Sequence, residues 1–539
     1  MKLEIIRGAN AQHRLSEAGL LSSWNALYDR CEWSTAFQKS EFVRTWYSVY
    51  GCRYDPLVIT GVSGESTLTG FWALAVDCGA GELIPCGWPN AEYYCWLADR
   101  DASNEFITRA LSQLWRQFPK GRLALLFLPP GTPLDWVSAR HKALKRAVPR
   151  PVRDLSQDTS AASLRKKSNR SRLNRLARLG PVGFRQIESS AELEQYIDKL
   201  AAYCDLRQGA VSGSLPFQED PLKRELFLRL LDCPGLAHAS VLTAGGELAA
   251  SHIGFFSKSE LSLGFLAHSP FLAEHSPGKL LLLFLASRLA ELGVPRFDLT
   301  PGGKYKERFH NAHDEAYVVR MFARRRDYLR FWCLRWILTT AKRVFTLAGI
   351  DTAALSPLSN GKSAGFPLRR HISRLLRSIR RTLQSRGESL VYMFEGGPEL
   401  LPLCSGCGIN RNRVSDLTLY QPRSSYGRTL QEFLSEALVR LSRGDQVYTA
   451  EVSGELAYCG WLSRVAGKRD GGFPERSMFL REDFTNPHFN TCELRRKAIH
   501  ARLRDAIDAG AEHIFAEVRL EDLCTRKNLE ESGFGRRPR

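Results

Sequence analysis

The stretch Ser269–Phe309, SPFLAEHSPGKLLLLFLASRLAELGVPRFDLTPGGKYKERF, decides how this chain is read. Ser276 is placed to cap a helix, Pro277 suits the first helical position because its φ is preset and it has no amide hydrogen to lose, and Gly278 keeps the backbone open. From Leu280 to Leu292 the residues are almost all apolar, and Gly293 then stops the helix. Free amide hydrogens and the positive end of the helix dipole would face whatever lies above Ser276–Lys279, which favours a pyrophosphate, and Lys279 adds a full charge. Ser-Pro-Gly before a helix is also common punctuation, so the flanks carry the argument. Leu261–Ala267 predicts a strand upstream, and Arg296–Leu299 predicts a short strand running into Thr300-Pro301-Gly302-Gly303. The result is a βαβ unit whose strand end opens on a polar loop carrying Lys304, Tyr305 and Lys306, the place where such units hold ligands.

A chain of 539 residues, 44% hydrophobic, can bury several cores and suggests roughly three to four domains. Its start, MKLEIIRGANAQHRLSEAG, lacks the basic and apolar regions of a signal peptide. Tyr328–Ile350 is semi-apolar but carries Arg330, Arg335, Lys342 and Arg343, each costing about 2.5 to 3.5 kcal/mol at bilayer depth, so a span is not expected. Thirteen scattered cysteines, an odd number, read as reduced thiols of a cytoplasmic protein. Cys404 and Cys407 form the one CxxC, with no second ligand pair at zinc spacing, and no metal is expected. The formal charge of +19 implies an anionic partner: a phosphorylated cofactor, an anionic lipid or a nucleic acid.

The same order of events recurs along the chain. Gly246-Glu247-Leu248-Ala249 feeds a strand, an apolar helix ends at Gly293, and the strand PRFDL follows; Gly454-Glu455-Leu456-Ala457 feeds AYCGWLS, then the helix ELRRKAIHARLRDAIDAG and the strand HIFAEV. A fainter copy starts at Gly64-Glu65 and runs through LTGFWALAV, NEFITRALSQLWRQF and RLALLFLP. Three related α/β units are expected, with mixed central sheets flanked by helices: 1–150, 164–325 and 388–539, the last two joined by a basic linker over 326–387. The second unit opens with LRKKSNRSRLNRLARLG, in which Leu164, Leu173, Leu176 and Leu179 make a narrow apolar stripe and arginines and lysines cover the rest. This face either binds phosphate or lipid headgroups or is simply solvated. In the linker, Arg369, Arg370, Arg374, Arg377, Arg380 and Arg381 with Leu375, Leu376 and Ile379 predict a second basic amphipathic helix, suited to an anionic membrane or to a solvated spacer.

With LRKKSNRSRLNRLARLG at its start, GELAASHIGFFSKSELSLGFLAHSPFLAEHSPGKLLL in its middle and FDLTPGGKYKERF at its end, the second unit resembles the acetyltransferase domain of the CelD/BcsL cellulose-biosynthesis family. That family belongs to the GNAT superfamily and is akin in fold to the FemAB peptidoglycan transferases. The first unit resembles the divergent GNAT half that such proteins often carry, and Leu390–Phe534 also looks like a GNAT domain. In the third unit FTNPHFNTCELRRKAIHARL stands where the superfamily has its CoA pyrophosphate loop, but Asn490-Thr491-Cys492-Glu493-Leu494 has no glycine and brings Glu493 beside the phosphates. Leu529 replaces the tyrosine that protonates the departing thiolate in many GNAT enzymes, so the third unit is expected to bind CoA weakly or not at all.

The resemblance implies an enzyme that transfers an acyl group from acetyl-CoA or another acyl-CoA to a sugar hydroxyl or an amine, in exopolysaccharide or cell-envelope biosynthesis. On this reading Ser276, Pro277, Gly278 and Lys279 hold the diphosphate, with Lys304 or Lys306 steadying the phosphates or an acidic acceptor, and Tyr305 is the acid. His252, inside the strand AASHIGFF, and Asp298 are the candidates for the base, although Asp298 is equally placed to cap the loop TPGG. Peripheral contact with an anionic membrane through the basic helices fits the charge; nucleic acid is not an expected partner. Two other readings stay open: a non-catalytic GNAT-derived scaffold at a membrane or synthase, and FemAB-like aminoacyl transfer from tRNA.

Overall fold

A computed structural model describes residues 1–64, 67–156, 159–347, 389–396, 408–423, 428–464, 473–489, 492–520 and 522–537. The basic helix expected over 369–381 and the pair Cys404 and Cys407 lie outside the described residues.

The first sheet is antiparallel, β1 (Lys2–Arg7), β2 (Tyr54–Ser63), β3 (Thr67–Asp77) and β4 (Leu83–Pro85) in that order, with β5 (Leu97–Ala98) on β3. Phe106 of the Ser103–Gln117 helix lies flat on it because Gly70 has no side chain: a Cβ there would stand 2.3 Å from the ring.

The second sheet has nine strands: β6 (Arg122–Leu128), β7 (Ala143–Asp154), β8 (Val182–Ile187), β9 (Ala237–Ala244), β10 (Glu247–Ser257), β11 (Glu260–Ser262), β12 (Phe265–His268), β13 (Arg296–Asp298) and β14 (Ala312–Phe322). Their order is β6-β14-β7-β13-β11-β10-β9-β8, with β12 also on β10. Strand pairing therefore joins the first two units, and β7 runs straight through residue 150, where the sequence placed the end of the first. Pro149 and Pro151 made that stretch look like a boundary. They are tolerated because the Pro151 carbonyl, which accepts the Leu299 amide, faces the β13 side, and a residue's N–H and C=O share a side in an antiparallel strand. The two missing donors thus fall beyond Val152–Asp154, the only part of β7 that β13 pairs.

The third sheet is built from β15 (Ser389–Phe394), β16 (Asn410–Arg411), β17 (Gln446–Val452), β18 (Glu455–Arg464), β19 (Ser477–Thr485), β20 (His513–Arg519) and β21 (Phe534–Arg536), in the order β16-β17-β18-β19-β20-β15-β21. Its parallel pair, β19 with β20, is bridged by the Cys492–Asp508 helix, just as the parallel pair β11 and β13 is bridged by the Pro277–Glu291 helix. This is the repeat read from the sequence. The third unit docks on the Ser190–Ser212 helix, where Leu206 and Ala210 share a core with Val414, Leu417, Phe433 and Leu434. Gly209 allows the close approach, since a Cβ there would stand 2.3 Å from Leu434 Cδ1. Each fully buried leucine in that core contributes about 1.5 to 3 kcal/mol.

Among the described residues no helix is long and apolar enough to cross a membrane. No group of three or more histidine, cysteine or acidic side chains that could hold a metal ion occurs among them either. The Arg325–Leu347 helix leaves the second sheet with Trp332, Trp336 and Ile337 exposed.

Candidate functional site

The site is an opening between two strands. β11 and β13 run parallel as far as Ser262 and Asp298, and the Leu263 amide makes a last bond of 2.8 Å to the Asp298 carbonyl. There the chain turns away at Gly264, φ +52°, to form β12 on β10; a Cβ at Gly264 would lie 2.0 Å from the Ile253 carbonyl oxygen, so no side chain fits. β13 continues instead toward β7 through Leu299. The two strand ends diverge, and the Pro277–Glu291 helix begins beside the end of β12: a Cβ on Gly278 would meet His268 Cδ2 at 3.1 Å.

Ser276 does not cap this helix with its side chain. It is left-handed, φ 53° and ψ 52°, whereas a capping serine is extended so that its hydroxyl reaches the amides of the first turn. Its carbonyl takes the Lys279 and Leu280 amides at 3.0 and 3.2 Å, and since Pro277 has none, the Gly278 amide is the donor left at the tip. Charge makes up the rest. Burial pushes the Lys279 ammonium below its ordinary range, and Arg172, Lys166 and Arg308 push it further. Among the described residues Arg172, on the Lys167–Ala177 helix, bonds the Ser168 carbonyl and Asn169 Oδ1, and its Nε is buried without a partner there. None of the four cations pairs with a carboxylate among the described residues. Such a gathering repels itself until an anion occupies it.

At the other end of the opening stands Tyr305. Its hydroxyl is pushed up by burial, against the pull of Arg207 and with a further push from Glu92; the Arg207 guanidinium lies 5.5 Å over its ring. Gly303, φ +84°, lets the ring fold back over the loop. Burial, then Arg207, bring His268 down to about 4, so its imidazole is neutral. Lys306 does not reach a phosphate: it is buried and turned inward, Nζ 2.7 Å from Thr300 Oγ1 and 3.1 Å from the Thr300 carbonyl. The side chain of Lys304 lies outside the described residues.

His252 and Asp298 fall on opposite faces of the sheet. The buried His252 ring lies 6.0 Å from Phe297 and 5.8 Å from His238, on the side covered by the Pro277–Glu291 helix; burial, then His238, hold it well below its ordinary pKa. Asp298 follows Phe297 in β13 and points the other way. It accepts from Tyr93 Oη at 2.6 Å, from the Thr300 amide at 2.7 Å and from Arg150 Nη1 at 3.1 Å. Arg150, on β7, also bonds Glu260 at 2.9 Å and Asp314 at 2.6 and 2.8 Å. Asp298 does cap TPGG, and it ties the first unit to the second.

Glu92, from the first unit, is the residue the sequence reading missed. Burial pushes its carboxyl up to about 7, Lys306 pulls it down and Asp298 pushes it up; Ser262 and Gly264 also bear on it. Its Oε2 is buried without a hydrogen-bond partner, as is Ser262 Oγ. The signal was an acid immediately before the aromatic run Tyr93-Tyr94-Cys95-Trp96, at the edge of a stretch that must be buried, where carboxylates rarely go unpaired.

In the third unit the equivalent helix begins at Cys492 after Asn490 and Thr491, which lie outside the described residues. Glu493 is exposed and pairs with Lys497 at 2.7 Å, and Leu529 is buried in the unit's own core.

Residues 163–309 match the family model described as Acetyltransferase (GNAT) domain. Those bounds contain the basic helix, the diverging strands, the Pro277–Glu291 helix and Tyr305, and the match supports acyl transfer in general. Similar solved structures include the C-terminal domain (DUF2156) of a putative lysylphosphatidylglycerol synthetase from Agrobacterium fabrum, 14% identical, covering 58% of this chain and 95% of that one with a TM-score of 0.35. FemX is 9% identical, over 56% and 95%, with a TM-score of 0.38. A tandem GNAT protein from the clavulanic acid biosynthesis pathway is 11% identical, over 60% and 99%, with a TM-score of 0.37. No curated protein matches the chain.

Proposed function

We propose that the GNAT domain transfers an acyl group, acetyl in the first instance, from acyl-CoA to an amine or hydroxyl acceptor. The observation that carries this reading is the cluster of Lys166, Arg172, Lys279 and Arg308 at the tip of the Pro277–Glu291 helix, beside diverging strands. A pyrophosphate there would take the Gly278 amide and neutralise the cluster, and the acyl chain would lie along the opening toward Tyr305, whose hydroxyl is the acid for the departing thiolate. Asp298 and His252 serve the scaffold and the core. The resemblance to CelD/BcsL supports a sugar acceptor in exopolysaccharide or envelope synthesis, near the cytoplasmic face of a membrane. The third unit serves as a support for the helix that carries Arg207 and is not expected to hold CoA of its own.

Calorimetric titration of acetyl-CoA and longer acyl-CoAs into the wild type and Gly278→Glu tests this. Binding by the wild type and a loss of about 100-fold or more in the variant is expected, since the glutamate strikes His268 and sets a negative charge against the phosphate. Absence of binding in both would leave the scaffold and tRNA readings.

A further inference from the structure

The active opening of the GNAT domain is completed from outside it. Residues 86–96 of the first unit cross from β4 to β5 and lay Glu92 against the point where β11 and β12 part, beside Ser262 and Gly264. The segment is held on all sides: Asn90 Nδ2 bonds Tyr50 Oη at 2.8 Å, the Tyr93 carbonyl accepts Gln38 Nε2 at 3.2 Å, Tyr93 Oη bonds Asp298 at 2.6 Å, the Tyr94 amide bonds the Phe127 carbonyl at 3.3 Å and the Trp96 carbonyl accepts Trp33 Nε1 at 2.7 Å. The carboxyl stands against Ser262 and the Gly264 backbone, which engage one side of it, while Oε2 is buried and unpartnered and serves no bond of the fold. The other acids of the opening are engaged: Asp298 and Glu260 both bond Arg150.

We propose that Glu92 is the general base of the acyl transfer, so that the first unit supplies a catalytic residue to the second. The proposal rests on the acyl-CoA reading above. In the reaction Glu92 takes the proton of the acceptor N–H or O–H, and the freed lone pair attacks the thioester carbonyl carbon. The new C–N or C–O bond forms, the C–S bond breaks, and the thiolate takes the Tyr305 proton. The proton on Glu92 then returns to the phenolate through solvent, leaving CoA as the free thiol and both residues restored. The groups facing Glu92 are Lys306 and Asp298 from the second unit, with Tyr94 and Tyr305 within reach of its charge. They leave its carboxyl half ionised at about 7, close to where a base works best.

The test uses the full chain with acetyl-CoA, with water and ethanolamine as probe nucleophiles, CoA release being read by chromatography. Glu92→Gln keeps the shape and removes the base. Acetyl-CoA affinity is expected to stay within about 2-fold while CoA release falls by about 100-fold. The wild-type rate should rise with pH through about 7 and level off, and the variant should lose that rise. Infrared titration gives a readout independent of turnover: a protonated carboxyl band with a midpoint near 7, absent in the variant. Equal release by both proteins, no release by either despite binding, or an unchanged infrared titration overturns the role of Glu92 and leaves the acyl-CoA reading standing. Failure of both proteins to bind acetyl-CoA removes that reading and this proposal together.

Discussion

Replacing Arg150 by methionine removes the charge that holds the two units together and keeps most of the side chain's apolar volume. The guanidinium is 3% exposed and makes four bonds to three carboxylates, of which Asp298 is fully buried. Asp314 keeps Arg296 at 3.0 Å and loses little. Glu260 is left with Arg296 at 4.0 Å, and Asp298 with the Tyr93 hydroxyl and the Thr300 amide, so the deficit falls on those two carboxyls. Breaking a buried pair on one side costs about 3 to 5 kcal/mol, which at a urea dependence on the order of 3 kcal/mol per molar shifts the midpoint by about 1 M or more. The pH dependence follows from the same charges. Burial, then Asp298, already push Glu260 above its ordinary pKa, and the loss of Arg150, which pulls it down, raises it further. A carboxyl raised in the folded state is stabilising below its unfolded pKa and loses that as pH rises through the folded value, so the variant should approach the wild type near about pH 4 and fall furthest behind it at neutrality. Urea denaturation followed by near-ultraviolet circular dichroism at both pH values checks this. A neutral-pH loss under about 1 kcal/mol, or a deficit that grows on acidification, would refute the account of Arg150 as a clamp.

Two further outcomes are expected. Tyr305→Phe should lower turnover by about 10-fold or more with acyl-CoA affinity nearly unchanged, measured by CoA release and calorimetry; equal turnover removes Tyr305 from the mechanism. His238 is buried and depressed from 6.5 to about 4, chiefly by burial, with both ring nitrogens unpartnered. A depressed pKa gives stability that is present above the unfolded value and lost as pH falls, so between about pH 7 and about pH 5 the wild type should lose about 2 kcal/mol more than His238→Phe, which keeps the ring and removes the titration. Parallel acid sensitivity of the two proteins in chemical denaturation would disprove it.

Period and punctuation made the elements legible. The apolar run Leu280–Leu292 closed by Gly293 and the short strand after it stand as the sequence predicts, because each depends on local spacing, whereas the single strand expected over Leu261–Ala267 is broken at Gly264 into β11 and β12. What local spacing does not carry is which strands pair. Pro149 and Pro151 mark a break by every local rule, yet they sit in β7, between β14 and β13, because the ladder there asks for no donor on the proline side. The sheet shared by the first two units followed from that pairing, and Glu92 was invisible for the same reason: its neighbours Ser262, Gly264, Asp298 and Lys306 are all more than a hundred residues away in the chain.

The three units differ in what stands around their sheets. In the first, Cys86, Tyr94 and Cys95 line a small cavity with Phe37 and Phe71, and the same segment carries Glu92 to the second unit. In the third, the helix start carries Glu493 and Leu529 fills the core, and the unit's apolar face is used instead to brace the helix that carries Arg207. Only the second keeps diverging strands, a bare helix tip and cations without counter-ions together among the described residues. If Glu92 and Arg150 act as argued, separating the first unit from the GNAT domain would remove the base and unclamp Asp298 in one step. The second unit expressed alone should then be both less stable and slower than its cation cluster implies, and adding back the first unit in trans should restore CoA release only if β6 and β7 can re-enter the sheet.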